Sequence, residues 1–212
     1  VAVYIFIQTP LGQNWIAKQV TKKLSRDLQT RVTIKHVNFA LFNRMKLEGV
    51  LIEDRSQDTL LYAGTINVRI TDWFFLKNKA ELKYIGLEDA VVKFQRTDSV
   101  WRQQFFFDYF SSPSTGQSKK SSGIELDLKK VELRNVTFIK KDAWLGQDMM
   151  VHVGSLDMDA NKLSLAGNNY DINSLIIKDP VFTQLQYDKL KPRDSTLVAV
   201  ITPEKIKDKI DS

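Results

Sequence analysis

YIGLEDAVVKFQR, Tyr84 to Arg96, decides the fold. Ile85 and Leu87 alternate with polar or small residues before Asp89, and Val92 and Phe94 do so beyond it. Alternation with a period of two marks a strand with one buried face. Asp89 is a turn-former, so the stretch is expected to be two strands joined at that residue. The same unit recurs as RMKLEGVLIED from Arg44, KVELRNVTFIK from Lys130 and SLIIKDPVFTQ from Ser174. The first apolar column is Met45, Ile85, Val131, Leu175, and the second is Leu47, Leu87, Leu133, Ile177. Gly49, Asp89, Asn135 and Asp179 form the turn column. Val50, Ala90, Val136 and Pro180 follow it, then Ile52, Val92, Phe138 and Phe182. One short motif every forty-odd residues indicates a repeat architecture.

A second element repeats as well. LYAGTINVRI (Leu61 to Ile70) matches VHVGSLDMDA (Val151 to Ala160), with Gly64 over Gly154, Ile66 over Leu156 and Val68 over Met158. The expected fold is mainly β: an elongated, curved antiparallel sheet, an open β-groove of repeats, with an N-terminal amphipathic helix.

That helix is expected at residues 10–29. Thr9 is a natural N-cap and Pro10 suits the first helical position. Ile16, Val20, Leu24 and Leu28 form an apolar stripe, widened by Leu11 and Trp15. Lys18, Lys22, Lys23 and Arg26 occupy the other side. The helix either caps one end of the sheet or lies on anionic headgroups, and the two roles are compatible. Before it, VAVYIFI (Val1 to Ile7) is too short to span a bilayer, which needs about 20 residues. It is either the end of a membrane helix or a first buried strand.

Residues 30–201 are expected to form the β-groove, interrupted by SSPSTGQSKKSSG (residues 111–123), a polar low-complexity loop of mobile character. Trp73, Phe74 and Phe75 are expected to close one edge of the first repeat. WRQQFFFDYF (Trp101 to Phe110) is ordinary core, or else a short helix or loop folded over an apolar surface. TPEKIKDKID, within residues 202–212, has the signals of a further helix.

The totals exclude several classes. The chain has 212 residues, 43% of them hydrophobic, and a net charge of +6. It has no cysteine, which removes disulfides and thiolate metal sites. The basic and acidic residues alternate along strands, and the aromatics sit in apolar blocks, so nucleic-acid binding is not expected. No phosphate loop, nucleophile elbow or zinc-protease motif is present. His36 and His152 fall in separate strands as ordinary strand residues. Asp157, Asp159 and Asn161 resemble part of a calcium loop, but Lys162 and Asn168 stand where that loop needs Gly and Glu. The Asn-Val-Thr sequon at Asn135 falls at the turn column. The expectation is a protein that is not an enzyme and carries no cofactor or metal.

A long apolar trough suits an acyl chain, because burying one methylene stabilises by about 0.8 kcal/mol. The expected lining is Ile85, Leu87, Val92, Phe94, Val131, Leu133, Val136, Phe138, Leu175, Ile177 and Phe182. Which alternate set faces inward is not fixed by the sequence, since a one-residue bulge flips the faces. Leu133→Asp is expected to block lipid loading without unfolding the sheet. The alternatives are an assembly factor that templates client strands at an open edge, and a closed structural β-sandwich.

Four stretches carry a family resemblance: QTPLGQNWIAKQVTKKLS (Gln8 to Ser25), VNFALFNRMKLEGVLIEDRSQDTLLYAG (Val37 to Gly64), ITDWFFLK (Ile70 to Lys77) and AELKYIGLEDAVVKFQRTDSVW (Ala80 to Trp101). They resemble the N-terminal part of the TamB family in the form found in Bacteroidetes-type bacteria. These are the inner-membrane subunits of the translocation and assembly module, within the AsmA-like group of bridge-like lipid-transfer proteins. The second half matches as repeat pattern only. The resemblance implies a single N-terminal anchor in the bacterial inner membrane, ending near residue 9, with the bulk in the periplasm. It implies phospholipid as cargo, a role in outer-membrane biogenesis and in outer-membrane protein assembly and secretion, and a TamA/Omp85-type barrel as partner. That partner would be engaged through a region outside this sequence.

Overall fold

The computed structural model describes residues 9–40, 44–70, 80–110, 124–164 and 169–191. Helix α1 (Pro10–Leu28) is followed by β1 (Val32–Thr33), β2 (His36–Ala40), β3 (Arg44–Glu53), β4 (Thr59–Ile70) and β5 (Ala80–Arg96). Then come α2 (Gln104–Phe110), β6 (Ile124–Asp142), β7 (Gln147–Ser164) and β8 (Asn169–Gln186). The expected residues 1–8, the Trp73–Phe75 cluster, the 111–123 loop and the helix at 202–212 lie outside the described residues.

Local chemistry sets α1. Thr9 Oγ1 accepts the Gly12 N–H at 3.1 Å, satisfying one of the helix's orphan donors. The helix ends at Gln29, in the left-handed region at φ 54°, whose N–H bonds back to the Ser25 carbonyl. Ile16, Ala17, Val20 and Leu28 are buried. Leu11 and Trp15, expected to widen the stripe, are exposed instead. The helix rests on short β1 and β2, a surface too narrow to cover more than one stripe. Lys18 and Thr21 sit beside Thr33 and Lys35, and Ser25 Oγ bonds Val32. The helix therefore runs antiparallel to β1 and β2, with its N-terminus toward the Arg44 end of β3.

The strands form one open, curved sheet in the order β1-β3-β4-β5-β6-β7-β8, with β2 also paired to β3. At about 4.8 Å per step, some 30 Å separates β2 from β8. The sheet is antiparallel as expected except at its centre, where β5 and β6 pair in parallel, with Ile85 opposite Val131 and Val92 opposite Phe138. A parallel pair needs a long crossover, and the chain between β5 and β6 supplies it, carrying α2 on the way. The repeat is thus a three-stranded meander: β3–β4–β5, then β6–β7–β8.

The turn column behaves differently from the expectation. Gly49, Asp89, Asn135 and Asp179 all have φ between 51° and 60°, yet none reverses the chain. Each sits inside one long strand, and β5 alone runs 17 residues through Asp89. A left-handed residue turns a chain only if its neighbours turn with it. Here the flanking residues stay extended and paired, to strands on both sides in β3 to β6 and to β7 alone in β8. Register is also kept: Glu48 opposes Thr65 and Val50 opposes Ala63, with no residue inserted. Gly64 and Gly154 complete the row on β4 and β7. A Cβ at Gly154 would lie 3.0 Å from the Asp179 Cβ, and one at Gly64 would lie 3.2 Å from the Asp89 Cβ. Across β3 to β8, two successive residues leave the inner face at this level, so the pleat changes phase on every strand at once. As a result Met45 and Leu47 before the row, and Val50 and Ile52 after it, all face inward and are buried.

Candidate functional site

The phase change gathers the repeat columns into continuous apolar rows on one face. Strand register joins Leu47, Ile66, Leu87, Leu133, Leu156 and Ile177. A parallel row runs Ile52, Leu61, Val92, Phe138, Val151, Phe182, and another Met45, Val68, Ile85, Val131, Met158, Leu175. Every residue expected to line a trough lies on this face. β7 contributes Val151, Val153, Leu156 and Met158 to the same rows. These were missing from the expected lining, although the match of Gly64 to Gly154 held the signal that β7 repeats β4.

Burial changes sharply along each row. Leu87, Leu133 and Val136 are buried, while Ile85, Val92, Phe94, Val131 and Phe138 are half-buried. Leu175, Ile177 and Phe182 on β8 are 50%, 45% and 60% exposed. One chemical pattern thus has two physical states. Toward β3 it is core, in one cluster with the buried face of α1. Toward β8 it is an open apolar surface, and no described strand pairs beyond β8. The expected behaviour of Leu133→Asp changes with this. Leu133 is 5% exposed, so a charge there strikes the folded core as well as any bound chain. The β8 residues are the ones that report on a ligand alone.

WRQQFFFDYF folds as α2 with its preceding loop, and Phe105, Phe106 and Tyr109 pack on the apolar cluster. Phe107 meets Phe94 of β5 with ring centroids 5.6 Å apart. Gln103 is buried and its Oε1 accepts the Gln95 N–H. The segment is therefore both core and a short helix laid over part of the apolar face.

At the C-terminal ends of β5 and β6 the apolar face stops against an ion pair. Arg96 donates to both carboxylate oxygens of the fully buried Asp142, at 2.7 and 2.8 Å. The Leu145 N–H adds a third bond, and Trp101 lies 4.5 Å over the guanidinium. The bond from Arg96 holds the Asp142 carboxyl below its ordinary pKa, outweighing burial. Beside it, Lys93 donates to both oxygens of Asp58 at 2.9 Å and pulls that carboxyl down to about 2. The Arg96–Asp142 pair ties β5 to β6, and the Lys93–Asp58 pair ties β5 to the turn before β4.

His36 is exposed on β2, and His152 is half-buried on β7 with Nδ1 3.0 Å from Thr137 Oγ1. Asp157 is paired with Arg134, and Asn161 bonds Asp171 and Asn173. All lie in strands. Among the described residues no cluster of acids and histidines could hold a metal ion. No described helix is long and apolar enough to cross a membrane. The site is defined by an open β-sheet whose ordered apolar face emerges at its last described strand. No protein-family model and no curated protein matches the chain.

Proposed function

We propose that this chain is a non-enzymatic, bridge-like lipid-transfer protein of the cell envelope, whose apolar β-face guides phospholipid acyl chains between inner and outer membranes. One observation carries the proposal: buried, in-register apolar rows continue without a break onto β8, where Leu175, Ile177 and Phe182 are open. Exposed apolar surface of this order marks a ligand or partner site. An acyl chain laid along successive rows stays out of water without a pocket closing and reopening. The stretches resembling the TamB family support the same reading, together with its inner-membrane anchor, periplasmic location, role in outer-membrane protein assembly and TamA/Omp85-type partner.

Native mass spectrometry of the chain, purified from bacterial membranes in mild detergent, tests this. Co-purifying phospholipid that falls away in Phe182→Asp supports the conduit. A lipid-free mass for a folded chain refutes it. The edge of β8, unpaired among the described residues, favours a second reading, strand templating of an outer-membrane client by β-augmentation. On that reading backbone edge groups matter, and Phe182→Asp leaves client binding intact.

A further inference from the structure

Helix α1 has two faces, and the sheet uses one of them. Ile16, Val20 and Leu28 belong to the core cluster. A second line of residues runs along the other side. Leu11, Trp15, Lys18 and Lys22 are spaced i, i+4, i+7 and i+11, which gathers them into about 60° of arc at 3.6 residues per turn. The middle of that arc lies roughly opposite Val20. All four residues are exposed, Leu11 at 77% and Trp15 at 52%.

Charge on this line has one sign. Asp27 is the single acid of α1. Its side chain is mostly buried, paired with Lys23 at 3.1 Å and Arg26 at 3.0 Å. Among the described residues no carboxylate pairs with Lys18 or Lys22.

The chemistry changes along the helix axis and not around it. Leu11 and Trp15 occupy the first two turns, and the lysines follow over the next two. A groove on a partner protein reads an amphipathic helix through apolar anchors at i, i+3, i+4 and i+7. On this line the apolar anchors end at Trp15. An anionic bilayer accepts both chemistries together: leucine and tryptophan at the boundary of acyl chains and headgroups, and lysines whose stems reach the phosphates. The sequence just ahead of the Thr9 cap, VAVYIFI (Val1 to Ile7), continues the apolar character. Leu11 is the exposed apolar position of α1 nearest that run along the chain.

We propose that the outer line of α1 docks the chain on an anionic bilayer, with Leu11 and Trp15 in the acyl–headgroup boundary and Lys18 and Lys22 on lipid phosphates. This rests on the lipid-transfer reading for the bilayer's presence, and adds how the covered end of the sheet meets it.

The test uses the absence of cysteine from the chain. Leu11→Cys, carrying an environment-sensitive nitrobenzoxadiazole label, reports one site in the full chain. Vesicles are phosphatidylcholine, alone or with one part in three of phosphatidylglycerol. With anionic vesicles the label is expected to brighten and shift to the blue. The same label at Thr183→Cys, exposed on β8, is expected to stay as in water. Co-sedimentation supplies the affinity. Lys18→Ala combined with Lys22→Ala is expected to weaken binding roughly thirty-fold, at about 1 kcal/mol for each lysine near an anionic surface. Alanine favours helix at both sites, so the melting temperature should not fall. Lys178→Ala combined with Lys189→Ala removes the same charge from exposed positions on and beyond β8, and should leave binding within about three-fold of wild type. A label at position 11 that stays aqueous on a vesicle-bound chain would place the contact elsewhere and overturn the proposal. Equal loss in the two lysine pairs would show that net charge alone drives binding, and would overturn it too. So would equal binding to both kinds of vesicle. A blue shift that grows with protein concentration in the absence of vesicles would give the line to a second copy of the chain. Phe182→Asp, which probes the acyl face, should leave the signal at position 11 unchanged. A failure of the conduit is therefore distinguishable from a failure here.

Discussion

Asn135 tests the pleat-phase row that makes the apolar face. It sits mid-strand in β6 at φ 53° and donates from Nδ2 to Asp89 Oδ1 at 2.6 Å, linking the two strands of the parallel pair. Replacing it with Val places a β-branched side chain in the left-handed region, which costs on the order of 1–2 kcal/mol beyond Asn. Losing the bond to Asp89 costs about 1 kcal/mol, reduced by its exposure. Asn135→Val should therefore destabilise by roughly 2–3 kcal/mol, lowering the melting temperature by roughly 5–10 °C for a chain of this size. The alternative for Val is an extended conformation, which would turn Val136 and Phe138 to the outer face, and Val136 is now fully buried. Asn135→Gly keeps the backbone and loses the bond alone, so its cost should stay near 1 kcal/mol. Thermal melts by circular dichroism check both. A Val variant that melts with wild type would refute the claim that this row holds the apolar columns on one face.

Ile177→Asp should change stability by no more than about 1 kcal/mol, while Leu133→Asp, placing an unpaired carboxylate in the core, should cost roughly 3–5 kcal/mol. Denaturant titration separates them, and equal costs would mean the inner face is not closed at β6. Arg96→Met leaves the buried Asp142 with the longer Lys140 contact at 3.5 Å and the Leu145 N–H and should cost roughly 1–3 kcal/mol at neutral pH. With Arg96 present, the depressed Asp142 pKa contributes stability above about pH 4 that is lost as pH falls. With Arg96 gone, the largest influence lowering that pKa is lost, so the penalty should shrink in acid, as urea melts at pH 7 and pH 4 can show. The Asp58 carboxyl, held at about 2 by Lys93, likewise contributes above about pH 4 and loses its contribution as pH falls through 2. Lys93→Met should flatten that part of the acid-denaturation curve. Gly154→Val should disrupt the β7–β8 pairing, because its Cβ would press on Asp179 at 3.0 Å, and amide exchange across β8 should rise.

Much of this architecture was written locally. Thr9 and Pro10 start α1 because a cap and a proline act within one turn of chain. The strands are legible because Ile85, Leu87, Val92 and Phe94 alternate. The left-handed column is legible because Gly, Asn and Asp tolerate positive φ. What a left-handed residue does there was not legible, since Asp89 takes the same φ in a hairpin as inside a strand, and hydrogen bonds to β4 and β6 make the choice. The parallel pairing of β5 with β6 was hidden for the same reason: each strand satisfies its own pattern in either orientation, and the crossover through α2 sets the direction. Exposure was the least legible. Leu133 and Ile177 occupy one column with one chemistry, yet one is core and the other open surface. By itself the sequence determined the strands, the helix start, the apolar columns and the positive-φ row, all properties of short stretches. Tertiary structure alone decided orientation, pleat phase and which end of each row meets solvent, because burial depends on what packs above a residue and not on its neighbours along the chain.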